Sequence, residues 1–219
     1  AEELGFYGVA IRLIQFLYLF PPLLSGSTFP TFARLAVRDN EKMRALLERT
    51  LTLTFLVAFP IAVGGLIVAP EIVEFIFGKG YLAAIPALRI LMLTLATTFP
   101  IALLGNAVFA YDKQKLLVAY AAIGGVANVI LDLLFIPPFG ILGSAWATLI
   151  SQILAGAYLW RATKRISAFE VLSRLPRGLW GTIGMGGVTF LLHRSGVNLL
   201  LTIGASAAVY AGLLLLFRE

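Results

Sequence analysis

The sequence predicts an all-α, polytopic transmembrane helix bundle of about seven spans, and three observations predict it. Hydrophobic residues make up 60% of the 219 and charged residues only 13%, with a mean hydropathy of +0.94. A soluble domain carries roughly 25% charged residues. The apolar residues fall in runs of about 20, which at about 1.5 Å per residue cross a hydrocarbon core of about 30 Å. Finally, the cations in successive connections alternate between many and few, as they do when connections lie on opposite sides of a membrane.

The spans read roughly as residues 5–31, 50–69, 82–110, 116–136, 141–160, 178–192 and 197–217. Their landmark is the run from Val126 to Gln152, which climbs to Ile136, breaks at Pro137-Pro138-Phe139-Gly140 and descends from Ile141. Proline lacks a donor and clashes with the preceding turn, so the rising helix is expected to end there. The first and third spans are long and contain Pro21, Pro22, Pro86 and Pro100, which predicts kinks or tilt. The sixth is short and rich in glycine.

The first connection holds Arg34, Arg38, Lys42, Arg44 and Arg49, the second Lys79, and the third Lys113 and Lys115. The hairpin turn holds none, the fifth connection holds Arg161, Lys164, Arg165, Arg174 and Arg177, and the sixth holds Arg194. The cations thus run 5, 1, 2, 0, 5, 1. By the positive-inside rule the first, third and fifth connections are cytoplasmic, so the start of the chain lies outside and its end inside. The net charge of +6 is then a property of cytoplasmic loops and not of a nucleic-acid surface. The chain begins without Met and without a signal-peptide pattern, and is read as a cut from something longer. Residues 40–48 fit either a short interfacial helix or a solvated connector. Residues 1–163 read as a five-span bundle, 164–177 as a basic linker and 178–219 as a terminal two-span hairpin.

Soluble-enzyme motifs are absent: no G-x-S-x-G, no Walker loop, no H-E-x-x-H and no G-x-G-x-x-G between strand and helix. With no cysteine and a single histidine, His193, no cofactor or metal site is expected. His193 reads as a solvated residue at a span end, as do Glu71 and Glu74 in an outer loop. Ionisable groups within spans are more telling, because a charge at mid-bilayer costs at least ~2.5–3.5 kcal/mol. Arg12, Arg89 and Asp132 all fall in the outer half of the membrane. Either they face a polar, net cationic cavity suited to an anionic substrate, or Asp132 pairs with one arginine while the other snorkels to the interface. Gly124, Asn128 and Asp132 share one helix face at i, i+4, i+8. Asn128 suits a hydrogen bond to a neighbouring helix or a contact with substrate, and Gln15, Asn106 and Gln152 are weighed the same way. In the fifth span two stripes, Gly143-Ala147-Ser151-Ala155 and Ser144-Thr148-Gln152-Gly156, read as a packing seam. Tyr18, Tyr81, Trp160 and Trp180 read as interfacial anchors.

The segments ELGFYGVAIRL, TFPTFARL, PEIVEFIFGKGYLAAIPALRIL and NVILDLLFIPPFGILGSAWATLISQ occur in this order. Over roughly residues 3–165 they resemble the C-terminal half of bacterial polysaccharide flippases, within the multidrug/oligosaccharidyl-lipid/polysaccharide exporter superfamily. The resemblance implies half of a two-bundle exporter that works by alternating access, with the N-terminal bundle of the same protein missing. It implies a polyprenyl-pyrophosphate-linked glycan as substrate, flipped from the cytoplasmic to the periplasmic leaflet of a bacterial inner membrane for surface polysaccharide biosynthesis. Membrane lipids are the other partner, and no enzyme activity is implied. It makes Arg12, Gln15, Arg89, Asn128 and Asp132 candidate cavity residues. Arg12 and Arg89 suit the pyrophosphate, since arginine offers phosphate a bidentate fork. Asp132 stands where the family more often has Asn, leaving cavity, ion-coupling site or ion pair open. A lipid II flippase or a drug/cation antiporter of the superfamily is the alternative, although an antiporter calls for an acidic cavity. A membrane-embedded glycosyltransferase or polymerase would need acidic or His groups in a long loop, and the long loops here are basic.

Overall fold

The computed structural model describes residues 2–171 and 175–217, so Arg174 of the basic linker lies outside the described residues. All regular structure among the described residues is helical. Among the described residues, six stretches are long and apolar enough to cross a membrane: Leu4–Leu23, Asn40–Ile67, Lys79–Ala110, Lys115–Phe139, Ile141–Ile166 and Leu199–Leu216. The expected sixth span is a 19-residue helix, Pro176–Arg194, which is not among the six.

The first expected span is not one kinked helix but three, α1 (Glu2–Leu17), α2 (Phe20–Gly26) and α3 (Phe29–Arg38). Pro21 and Pro22 supply no N–H to the carbonyls four residues back, at Leu17 and Tyr18, and the helix breaks at Tyr18 and Leu19. Asp39 then takes extended backbone geometry and accepts the Lys42 N–H at 3.0 Å, capping the next helix. That backbone donor, then the Lys42 ammonium, holds the Asp39 carboxyl below the usual carboxylate range. Residues 40–48 are neither a separate interfacial helix nor a loose connector; they are the first turns of α4 (Asn40–Ile67). Glu48 is buried there, and its Oε1 accepts from Arg44 Nε at 3.0 Å and from the Glu170 N–H at 2.8 Å.

The chain turns through α5 (Ala69–Phe77) and a 3-10 turn, Lys79–Ala84, into α6 (Ile85–Leu93) and α7 (Leu95–Ala110). The third span therefore breaks at Thr94 and not at its prolines. Pro86 opens α6, where no intrahelical donor is needed. Pro100 stays inside α7. Next comes the antiparallel pair α8 (Lys115–Phe139) and α9 (Ile141–Ile166). The rising helix does not end before its prolines. Pro137 and Pro138 form its last turn, exposed at the helix end, and the chain reverses at Gly140 alone, at φ +54°. Gly143 makes the reversal tight: a Cβ there would stand 2.1 Å from the Phe135 carbonyl oxygen.

Two apolar clusters hold the bundle. One gathers Ile14, Leu88, Leu91, Leu95 and Phe99 from α1, α6 and α7. The other gathers Phe32, Met43, Leu47, Leu103, Leu159 and Phe169 from α3, α4, α7, α9 and the linker. Phe169, in the described part of the linker, is buried edge-on to Trp160 at 4.9 Å; Trp160 packs inward here and also meets Phe55. The helices α10 (Pro176–Arg194) and α11 (Leu199–Phe217) lean on α4, where Tyr210 Oη donates to the Leu56 carbonyl at 2.7 Å. His193 and Glu71 are not free solvated ends: His193 Nδ1 contacts Glu71 Oε1, joining α10 to α5. Glu74, on α5, pairs with Lys79 of the following 3-10 turn at 3.7 Å, both side chains exposed.

The hairpin geometry yields a test. Gly143→Ala forces a backbone shift costing about 2 kcal/mol, whereas Gly125→Ala, with nothing within 4 Å of its Cβ, is neutral. Thermal unfolding of the detergent-solubilised protein measures both.

Candidate functional site

The two broken spans break beside each other, and side-chain hydroxyls cover the break. The hydroxyls of Tyr18, after α1, and Thr94, between α6 and α7, lie 2.6 Å apart. Thr94 donates to the Leu91 carbonyl at 2.5 Å, so Tyr18 donates to Thr94. Gln152 of α9 donates from Nε2 to the Tyr18 oxygen at 3.2 Å. Its Oε1 faces the Thr97 and Thr98 hydroxyls at 3.3 and 3.2 Å, and both hydroxyls also reach the Thr94 carbonyl. In hydrocarbon no water can take these bonds, and each unsatisfied group costs several kcal/mol. Backbone bonds pair the Thr94 N–H with the Leu91 carbonyl and the Thr94 carbonyl with the Thr97 and Thr98 N–H groups, and the amide of Gln152 ties the hydroxyls around the break to α9.

On its other side Gln152 lines a cavity of about 310 Å³ between α8 and α9, together with Tyr120, Gly124, Asn128, Thr148 and Ser151. The Gly143-Ala147-Ser151-Ala155 stripe is buried, and Gly124 comes close to Ala155, so the small residues let α8 and α9 approach while their polar neighbours line the gap. Tyr7 of α1 reaches Thr148 at 3.5 Å. Asp132 follows Asn128 by one turn on the same face of α8 and is half-buried. Its Oδ1 is buried without a hydrogen-bond partner. A desolvated carboxylate oxygen without a donor is costly.

The structure sorts the five candidate residues into separate places. Asn128 and Asp132 share the α8 face beside the cavity. Arg12 and Gln15 are exposed on α1, on the face opposite buried Ala10 and Ile14. Arg89 is exposed on α6, and its Nε donates to the Leu66 carbonyl at 3.2 Å, near the C-terminus of α4. A cation there satisfies an orphan carbonyl and complements the helix dipole. Among the described residues no ion pair joins Asp132 to Arg12 or Arg89.

Tyr18, Thr94, Thr97 and Thr98 escaped the sequence reading. Tyr18 read as an interfacial anchor, yet its hydroxyl is committed inside the bundle. The available signal was three threonines within five residues of an otherwise apolar span, a pattern that releases hydroxyls to back-bond a broken helix.

A bundle of apolar helices with discontinuous spans and a polar cavity between helices has the build of a multi-pass membrane transporter. The family model described as "Lipid II flippase MurJ" matches residues 7–215. The chain therefore belongs to the MurJ family of flippases, within the exporter superfamily that the motifs resemble. Among curated relatives, "Probable flippase AglR" of Haloferax volcanii is 31% identical over 163 residues, covering 72% of this chain and 34% of the relative. The "Putative O-antigen transporter" of Shigella flexneri is 25% identical over 174 residues, covering 78% of this chain and 41% of the relative. The solved structure "Lipid II flippase MurJ, inward closed conformation" superposes with a TM-score of 0.84 at 20% identity, covering 99% of this chain and 47% of that one, a likeness of fold. The chain thus spans between a third and a half of the length of these proteins.

Replacing Gln152 with Leu removes its bonds to Tyr18, Thr97 and Thr98, each worth about 0.6 kcal/mol in a bilayer. The expected loss is about 1–2 kcal/mol, with a smaller loss for Tyr18→Phe, read by chemical denaturation in lipid–detergent micelles.

Proposed function

We propose that this chain forms the C-terminal bundle of a flippase that moves a polyprenyl-pyrophosphate-linked oligosaccharide from the cytoplasmic to the periplasmic leaflet by alternating access. The membrane is a bacterial inner membrane, with the α8–α9 turn outside and the C-terminus cytoplasmic, the orientation that the alternating loop cations favour. The observation that carries this reading is Arg12. It lies within a candidate span, is exposed, and has no carboxylate partner among the described residues. An unpaired guanidinium at that depth belongs against water or an anion and not lipid tails, and its planar fork matches phosphate oxygens. Arg89 is the weaker phosphate ligand because its Nε is already committed to Leu66.

The partner bundle is the missing N-terminal half of the same protein. In support, α8 is apolar along its length yet none of its side chains is buried, so a large flank is open to a second body. An apolar groove of about 550 Å³, lined by Leu56, Pro60, Gly64, Met185, Ile203 and Tyr210 among others, offers a place for a lipid chain between α4, α10 and α11. Lipid II is the second substrate reading. It is favoured by the family match continuing to residue 215 and the fold match covering 99% of the chain, both of which include α10 and α11.

Complementation with the full-length gene tests the site, reading surface glycan and peptidoglycan synthesis in separate deletion hosts with membrane protein level as control. Arg12→Ala lowers rescue at least about tenfold, in keeping with the loss of about 1.5–3 kcal/mol for a hydrogen bond to a charged group, and Arg12→Lys restores part of it. The host that is rescued identifies the glycan. Full rescue by Arg12→Ala at normal protein level would sink the assignment.

A further inference from the structure

The end of the α8–α9 pair opposite Gly140 holds another polar cavity, of about 650 Å³, lined by Asp112, Lys113, Gln114, Lys115 and Leu116 on one side and by Tyr158, Ala162, Arg165 and Ile166 of α9 on the other. It plays no part in the flipping reaction proposed above. The sequence builds it in a few residues. α7 ends at Ala110, the Lys113 N–H returns to the Val108 carbonyl at 3.0 Å, and Asp112 takes a left-handed φ of +54°. Gln114 Nε2 donates to Asp112 Oδ1 at 3.1 Å, which pins the turn and engages that carboxylate. α8 then starts at Lys115 with no side-chain cap, so the positive end of its dipole opens beside the cavity.

Three cations therefore share the cavity wall with one carboxylate. Among the described residues neither Lys113, Lys115 nor Arg165 has an ion pair. Height is the second consideration. The 25 residues of α8 extend about 37 Å at about 1.5 Å per residue, more than a hydrocarbon core of about 30 Å. The turn thus stands in the headgroup layer, where an anion is available in every anionic lipid. The third consideration is the apolar remainder of the wall. Leu116, Ala162 and Ile166 line the cavity. A soluble phosphate has no use for such a wall, and acyl chains do.

We propose that this cavity seats the phosphodiester headgroup of an anionic phospholipid. Lys113, Lys115 and Arg165 hold the phosphate oxygens, the Tyr158 hydroxyl and Gln114 amide stand at its rim, and the acyl chains lie against Leu116, Ala162 and Ile166. The bound lipid pins the open end of a helix that is otherwise held mainly by α9. This site depends on the chain lying in a membrane and not on which glycan is flipped.

The experiment uses full-length protein in phosphatidylcholine nanodiscs doped with phosphatidylglycerol, with bound lipid counted by native mass spectrometry after mild delipidation. The charge-neutral variant Lys113→Gln/Lys115→Gln/Arg165→Gln is expected to bind phosphatidylglycerol at least about tenfold more weakly, since each cation near the surface contributes to anionic-lipid attraction. The charge-preserving Lys113→Arg/Lys115→Arg/Arg165→Lys keeps binding, which separates lost charge from lost fold. Arg34→Gln/Arg38→Gln, neutralising exposed cations elsewhere, also keeps it. Unchanged binding in the neutral variant, or an equal loss in the Arg34/Arg38 control, overturns the proposal. Displacement of phosphatidylglycerol by millimolar inorganic phosphate points to a soluble phosphate ligand and overturns the lipid assignment.

Discussion

Inside a bilayer every buried polar group needs a protein partner, and here that constraint falls on the side chains of Tyr18, Thr94 and Gln152. Two membrane stretches are discontinuous, one after α1 and one between α6 and α7. Their breaks meet, and one glutamine on α9 serves both. The contact fixes three elements at one depth. On the same helix Gly143, Ala147, Ser151 and Ala155 are buried, and Thr148, Ser151 and Gln152 line the cavity that also holds Asn128.

From α9 outward the structure becomes open. α8 is tied at one end by the Gly140 reversal and the close approach at Gly143. Along its length it leans on one neighbour, with no side chain buried. It nevertheless carries Asn128 and Asp132, two polar residues that a lipid-facing helix would not place at one turn's spacing. A partly supported helix with a buried, unpartnered carboxylate oxygen is poised to face a second body or a water-filled space. Arg12 and Gln15 on the exposed face of α1 fit the same reading. The terminal helices α10 and α11 are docked on α4 through Tyr210, and the buried Phe169 and Val171 lie between α9 and α10.

The membrane class was plain in the sequence because composition and span length are set by the solvent and not by fine packing. The order of the spans and the hairpin at residues 137–140 followed for the same reason. Exact helix ends did not follow. Pro137 and Pro138 fit within the last turn of α8, where the carbonyls they leave without donors sit at an exposed helix end, while α6 and α7 part at Thr94, where there is no proline. Such choices depend on what lies across the interface, as Gln152 lies across from Thr97 and Thr98. His193 likewise read as a solvated end because its partner, Glu71, is far away in sequence. Of the candidate site, the shared face of Asn128 and Asp132 was legible from their spacing. The separation of Arg12 and Arg89 from Asp132 was not, since it depends on how α1 and α6 are turned.

The central claim is that the outer face of α1 and the flank of α8 border water and not lipid. The chain has no cysteine, so single cysteines placed in an otherwise cysteine-free full-length protein report this with a membrane-impermeant maleimide. Gln15→Cys and Gly125→Cys test the proposed water-facing surfaces, and Gly125 has room for a side chain. Ile183→Cys and Leu201→Cys, exposed on α10 and α11, report the lipid surface. The account predicts labelling of the first pair, slowed by bound substrate, and none of the second. Silence at Gln15 and Gly125 equal to that at Ile183 and Leu201 would contradict it.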